Sequence, residues 1–338
     1  MAEVVGFKVM AKNSAMWELR WDEELAWMPD DGGMTRQDGA GVDLDAKKDH
    51  ILGHEIVGKV VALGPGEKKW KIGDRVGGGW HGGHDGVCKS CNRGLFQCCD
   101  NEAVNGVSKD GGYAQYATLR TEATVRIPAG ISAVEAAPLL CAGVTVFNGI
   151  RNMQIIPGGT IAVQGLGGLG HLALQYSRKM GYRTVALSRD DQKKEFAEKL
   201  GATDYIASSD SVGEQLQKLG GADLIVVTAP SPKIIPGLIA GLAPRGKLLV
   251  LALTHNFAFR QNAAVGDVPI NTVSLIIKGQ SVHGWPSGHA LDSEEAIEFA
   301  IRNGVKCMTE EFKLEQVNEA MDKMVDGKIR FRGVLVME

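Results

Sequence analysis

Four of the chain's six cysteines fall together, at Cys88, Cys91, Cys98 and Cys99. With Asp85 in front, the order Asp85-x2-Cys88-x2-Cys91-x7-Cys99 places four donors in one compact lobe, able to surround a tetrahedral zinc ion. In a chain expected to be cytoplasmic, clustered cysteines point to metal before disulfide. A carboxylate is a harder ligand than a thiolate, so Asp85 is expected to lower zinc affinity without abolishing it. Cys98 leaves a different face of the turn. A metal-free lobe of reduced thiols is the alternative.

A second pattern suits a phosphate. Gly165-Leu166-Gly167-Gly168-Leu169-Gly170 follows an apolar run at 160–164 and opens a helical pattern at His171. Glycines at a strand-to-helix turn let the backbone approach a pyrophosphate, which then meets the positive end of the helix. The next apolar run, 184–187, leads into Ser188 and Arg189. An NAD site usually carries an acid where Ser188 stands. A hydroxyl, a guanidinium and the nearby Lys193 would instead bind a 2′-phosphate, which favours NADP(H) over NAD(H). Asp190 and Asp191 suit the first turn of the helix that follows. A solvated Arg189 is the competing reading.

The elements that must position these groups change character along the chain. Residues up to about 140 are glycine-rich, with short apolar runs at 56–63, 75–77, 113–119 and 124–127, the habit of a barrel-like β domain. A helix is expected over 133–151. Strands are then expected at 160–164, 184–187, 224–227 and 247–251, with helices at 171–180, 192–200 and 234–242 between them. Such alternation predicts an α/β fold with a doubly wound parallel sheet. The tail reads as strand 281–284, helices 293–303 and 314–326, and strand 334–337. The segment 274–284 reads as one apolar strand ending the parallel sheet.

Composition excludes several roles. The 338 residues carry 40 acidic and 37 basic side chains, a net charge of -3. That gives no electrostatic case for nucleic acid or an anionic membrane as partner. An apolar share of 44% and a charged share of 23% are ordinary for a globular protein. No apolar stretch reaches the roughly 18 residues of a membrane span, and residues 1–13 lack a signal peptide's apolar block. The outlier is glycine, 44 in all, about twice the usual share of roughly 7%. The expected partner is a small-molecule substrate.

Further motifs carry a resemblance. The cysteine lobe, Gly53-His54-Glu55-Ile56-Val57-Gly58, Gly73-Asp74-Arg75-Val76, Gly111-Gly112-Tyr113-Ala114-Gln115-Tyr116, Leu140-Cys141-Ala142-Gly143-Val144-Thr145 and Arg330-Phe331-Arg332 stand in order. Together they resemble the zinc-containing alcohol dehydrogenases among the medium-chain dehydrogenases/reductases. The resemblance implies a GroES-like, mainly β catalytic domain at 1–143, with a structural-zinc lobe at about 81–100. It implies a Rossmann domain at 144–282 and a return to the catalytic domain at 283–338. It also implies that Thr145 lies beside the nicotinamide and that Arg332 meets the cofactor phosphates. The cofactor set is thus Arg36, Thr145, Gly165, Gly167, Gly168, Leu169, Gly170, Ser188, Arg189, Lys193, Thr228 and Arg332.

The chain departs from this family at the catalytic zinc. Such enzymes hold that ion with Cys, His and Cys beside a Glu; His54, Glu55 and Cys141 match three of the four places. Thr35 stands where the first cysteine is expected, and no cysteine precedes Cys88. Gln37 occupies the proton-passing hydroxyl's position and Ala40 that of a relay histidine. Neither an amide nor a methyl passes protons readily. Zinc held by His54, Glu55, Cys141 and a water or Asp38 is one possibility; loss of the catalytic metal is the other. His81 and His84 follow Trp80 in a loop expected to border the pocket, or are surface histidines of the lobe.

Three functions are compatible with these residues. The first is NADPH-dependent reduction of an activated C=C or C=N bond, a substrate that needs less Lewis-acid help, as in metal-free relatives of the superfamily. The second is a zinc alcohol dehydrogenase or aldehyde reductase with altered ligands. The third is a non-enzymatic cofactor-binding protein. Because the expected edge strand at 274–284 is better covered than free, and relatives pair that edge across a two-fold axis, a homodimer or homotetramer is expected. Sedimentation at micromolar concentration should therefore give at least a dimer; a monomer would refute the expectation.

Overall fold

The computed structural model of the chain describes residues 4–8, 51–207, 211–229, 232–251 and 270–337. They belong to two compact units, Met1–Val144 with Ser287–Glu338, and Thr145–Pro286.

The first unit starts with short strands, as the glycine-punctuated apolar runs predict: β1 (Val4–Lys8), β2 (Ile56–Leu63), β3 (Arg75–Gly78), β4 (His81–Gly83), β5 (Ala103–Val104), β6 (Tyr116–Arg120) and β7 (Val125–Arg126). Five of them form an antiparallel sheet in the order β6-β1-β2-β3-β7, and β4 pairs with β5. Alternation along β6 turns Ala117 and Leu119 inward, onto Ile56, Val60, Val76 and Trp70. Lys69 Nζ and Arg126 Cζ each lie 4.7 Å from the Trp70 ring centroid, within cation–π range.

The helix expected over 133–151 is broken. α1 (Ala133–Ala136) passes into a 3-10 turn, Ala137–Leu140, and α2 (Ala142–Asn152) begins after Cys141. Pro138 near the start of that turn has no N–H to continue an α-helical ladder, and Cys141 sits at φ −128°, ψ −75°. The two pieces meet at 50° and are largely buried. Among the described residues no single helix is long and apolar enough to cross a membrane.

The second unit alternates as read: β8 (Thr160–Gln164), α3 (Gly170–Lys179), β9 (Arg183–Ser188), α4 (Lys194–Lys199), β10 (Asp204–Ala207), α5 (Val212–Lys218), β11 (Ala222–Val227), α6 (Ile235–Ala240), β12 (Leu242–Val250), α7 (Thr272–Lys278) and β13 (Ser281–Gly284). β10 and α5 stand in addition to the expected elements. The six strands are all parallel, in the order β10-β9-β8-β11-β12-β13. Ile161, Ala162, Val163, Leu224, Ile225 and Val226 are each 0% exposed, because such a sheet is covered on both faces. The order reverses between β8 and β11, and the glycine turn leaves the carboxyl end of β8 at that switch point.

The strand expected over 274–284 is two elements. Asn271 accepts from the Val273 and Ser274 N–H groups and starts α7, and Gly279 at φ 62° ends it. Val273, Ile276 and Ile277 follow helical spacing, which a continuous apolar run conceals. Only Ser281–Gly284 is strand, the last of the sheet among the described residues. The tail adds α8 (Ala290–Asn303), β14 (Thr309–Lys313), α9 (Val317–Val325) and β15 (Arg332–Val336). β14 and β15 pair in parallel, and Phe312 of β14 clusters with Ala320 and Ile329.

Candidate active site and metal centre

Gly53, Gly111 and Tyr113 set the position of His54. Gly53 has φ +94°, and the Tyr113 ring fills the space a Gly53 side chain would need. A methyl on Gly111 would collide with the Gly53 and Leu52 carbonyls, so two backbones touch directly here. His54 Nε2 lies 3.2 Å from Cys141 Sγ, the atom presented by the break before α2. The Trp80 ring stands edge-on to His54 at 5.3 Å. Burial, with the Arg332 charge nearby, lowers the His54 pKa to about 4. The imidazole is therefore neutral at ordinary pH, the form that can ligate a metal. Glu55 pairs with Arg332, whose residue is 7% exposed. Arg332 is thus engaged with the carboxylate beside His54. Spacing offered no signal for this pair, since its members stand 277 positions apart.

Thr35, Arg36 and Gln37, with Asp38 and Ala40, lie outside the described residues. Among those described, His54 and Cys141 converge as donors for a catalytic zinc, while Glu55 is held by Arg332. Two firm protein donors fall short of the usual three.

In the lobe, the ligand atoms of Asp85, Cys88, Cys91 and Cys99 all lie within 4.8 Å of one another. Left-handed Gly86 (φ 72°) and Gly94 (φ 75°) make the turns that bring them together. Cys91 and Cys99 are buried and Cys98 is exposed. The Asn101 amide and the N–H groups of Cys88 and Val87 hold the Asp85 carboxyl well below the usual range. Desolvation pushes the Cys91 thiol up to about 12, so without a cation it stays protonated. This donor set fits zinc. His81 is 3% exposed and bonds Glu102 at 2.9 Å and His84 at 3.0 Å, so it belongs to the lobe's interior rather than its surface.

At the glycine turn, Gly165 has φ +92°, and a methyl on Gly170 would strike the Gly165 carbonyl oxygen. The Thr228 hydroxyl lies 2.9 Å from the Gln164 carbonyl and 3.1 Å from that of Gly165, which pins the turn. Nothing lies within 4 Å of where a Gly167 side chain would be, and Gln164 Oε1 is buried without a partner. Both features suit an incoming dinucleotide. Gly168 and Leu169 lie in the same turn, where the His171 and Ala173 N–H groups already bond the Gly167 and Leu169 carbonyls. Lys193 Nζ reaches the Leu166 carbonyl at 3.4 Å, so its charge lies against the turn. Ser188 is half-buried at the end of β9, Arg189 is exposed, and Thr145 is buried on α2. Tyr205 on β10, unread in the sequence, donates to the Asp190 carbonyl at 2.6 Å and steadies that loop.

Comparison with known proteins agrees with these features. Residues 28–129 match the family described as alcohol dehydrogenase GroES-like domain, and residues 168–327 match zinc-binding dehydrogenase. The chain is 57% identical to alcohol dehydrogenase patD of Penicillium expansum over 85% of this chain and 82% of that protein. It is 50% identical to alcohol dehydrogenase notN of Aspergillus sp. (strain MF297-2), over 85% and 82%. Its fold matches a cinnamyl alcohol dehydrogenase of Sorghum bicolor with TM-score 0.75 and 29% identity, over 85% and 81%.

The His54 pKa has a consequence for stability. Lowered from 6.5 to about 4, it means that the unfolded chain takes up a proton before the folded one does. Stability in metal-stripped protein is then full above about pH 6.5 and falls as pH drops toward 4, by on the order of 2 kcal/mol from this group. Urea unfolding between pH 7 and 4.5 should show that slope, and His54→Gln should flatten it. A His54 ring resonance titrating near 6.5 would contradict the assignment.

Proposed function

Since the chain belongs to the zinc-containing alcohol dehydrogenase family of the medium-chain dehydrogenases/reductases, we propose that it is an NADP(H)-dependent oxidoreductase interconverting an alcohol and its carbonyl compound. The observation that carries this reading is the approach of a neutral His54 nitrogen to the Cys141 sulfur at 3.2 Å. Relatives named alcohol dehydrogenases, matched over most of the chain, support it. When bound, the nicotinamide supplies the hydride and a zinc ion supplies Lewis acidity at the substrate oxygen.

The chain's own residues do the rest. His54 and Cys141 would hold the metal, the imidazole being ready as a neutral donor. Arg332 holds the Glu55 carboxylate, which keeps a second negative charge from competing for that position. Trp80 packs in a T-shaped contact against the imidazole at 5.3 Å. Thr228 fixes the turn that would receive the pyrophosphate, and Ser188, Arg189 and Lys193 would hold the 2′-phosphate. In the lobe, Asp85, Cys88, Cys91 and Cys99 would hold the structural zinc.

A second reading is favoured by one fact, that no cysteine precedes Cys88. With a metal site short of one thiolate, an activated C=C or C=N bond is the acceptor that needs least polarisation. Zinc counting and Cys141→Ser separate the two. Two zinc ions per chain, and a fall of several orders of magnitude in kcat/KM for Cys141→Ser, are expected for carbonyl chemistry. One zinc ion, and a rate within a few-fold of the parent on an activated double bond, would move the assignment to the second reading.

Cofactor choice has its own test. NADPH should bind more tightly than NADH, and Arg189→Ala should remove roughly 1.5–3 kcal/mol of that preference, the worth of a charge-assisted phosphate contact. Equal affinity of the parent for both cofactors would overturn the proposal.

A further inference from the structure

Three of the lobe's four donors share one local rule. Cys88 Sγ lies 3.4 Å from the backbone N–H of Cys91, three residues on. Cys99 Sγ accepts from the N–H of Asn101, two residues on, at 3.3 Å, and from that of Asp85 at 3.4 Å. Asp85 obeys the same rule with an oxygen: Oδ1 accepts from Val87 at 2.8 Å and from Cys88 at 3.0 Å. The turn after Asp85 is thus built for an acceptor atom at its start, and a carboxylate oxygen takes that place.

A carboxylate brings a freedom that a sulfur does not have. Its second oxygen can rotate into the first one's position, or swing the group toward water. Here Asn101 Nδ2 donates to Asp85 Oδ2 at 2.7 Å and closes that rotation. One residue therefore touches two of the four donors, Asp85 through its side chain and Cys99 through its backbone. An ionised carboxylate offers about four acceptor positions. Three are taken by Val87, Cys88 and Asn101, and the Cys91 thiol also bonds the carboxylate, a place that a cation would take over. Donors on the ligand atoms also spread charge, since three thiolates and a carboxylate exceed a divalent cation by two negative charges.

We propose that Asn101 is the positioning residue that latches Asp85 into the metal shell, so that the lobe holds a divalent cation through three sulfurs and one amide-restrained oxygen. This rests on reading the lobe as a metal centre. Asn101 is exposed, so truncating it removes the latch without emptying a core. The role is specific to an oxygen ligand: a cysteine at position 85 would have no second oxygen to restrain.

The test is zinc affinity of the full chain, measured by competition with a chromogenic chelator. The cobalt-substituted protein's thiolate-to-metal absorption reports the donor set. Asn101→Ala should weaken zinc by about 10- to 100-fold, the usual cost of losing a partner of a metal ligand, with thiolate absorption retained. Asp85→Cys should abolish the dependence, so that Asn101→Ala in that background changes affinity less than about three-fold. An unchanged affinity for Asn101→Ala in the parent would overturn the latch. So would an equal loss in the Asp85→Cys background, which would make Asn101 a structural residue. A parent that holds no stoichiometric zinc would overturn the lobe reading, and the latch with it.

Discussion

The ion pair of Glu55 and Arg332 joins residues 277 positions apart within one unit. Arg332 is 7% exposed and Glu55 half-buried, so removing either member leaves the other charge without its partner in a part-buried place. The pair also sets the chemistry beside it. With Glu55 committed to the arginine, the guanidinium charge stands near His54 and helps keep its ring neutral. The C-terminal return that ends in β15 is therefore part of the site and not an appendage to it. It supplies a charge that adds to burial in keeping the motif's histidine neutral.

A different constraint governs the other unit. There the backbone itself makes the close approaches: Gly170 against the Gly165 carbonyl, with the Thr228 hydroxyl bonded across the same turn. No side chain larger than hydrogen fits between helix and strand at that point. The turn lies where the strand order reverses, so its position follows from the topology of the sheet as much as from its own residues. Lys193 reaches back to this turn from the loop after β9, which Tyr205 holds from the neighbouring strand. Two elements that the glycine pattern does not contain thus shape the surroundings of the turn.

The departures from sequence expectation have local causes. Cys141 lies at a break between helices because Pro138 interrupts the hydrogen-bond ladder, and that break is what turns its sulfur toward His54. An unbroken helix over the same residues would have changed the direction of the thiol. The helix α7 was hidden in an apolar run because Val273, Ile276 and Ile277 satisfy helical spacing and also read as a strand. His81 could be read as bordering the pocket or as a surface residue, and its bonds to Glu102 and His84 place it inside the lobe.

By itself the sequence determined what depends on neighbours along the chain. The alternation of strand and helix, the glycine turn, the run of cysteines after Asp85 and the order of the motifs are all local patterns. Backbone sterics and period read them without knowledge of the fold. Tertiary structure alone decided which distant groups meet: Arg332 with Glu55, Cys141 with His54, Asn101 with Asp85, Tyr205 with the Asp190 loop. Those meetings control charge state and ligand direction. Electrostatic and hydrogen-bond energies depend on distance in space, and distance in space is not written in spacing along the chain.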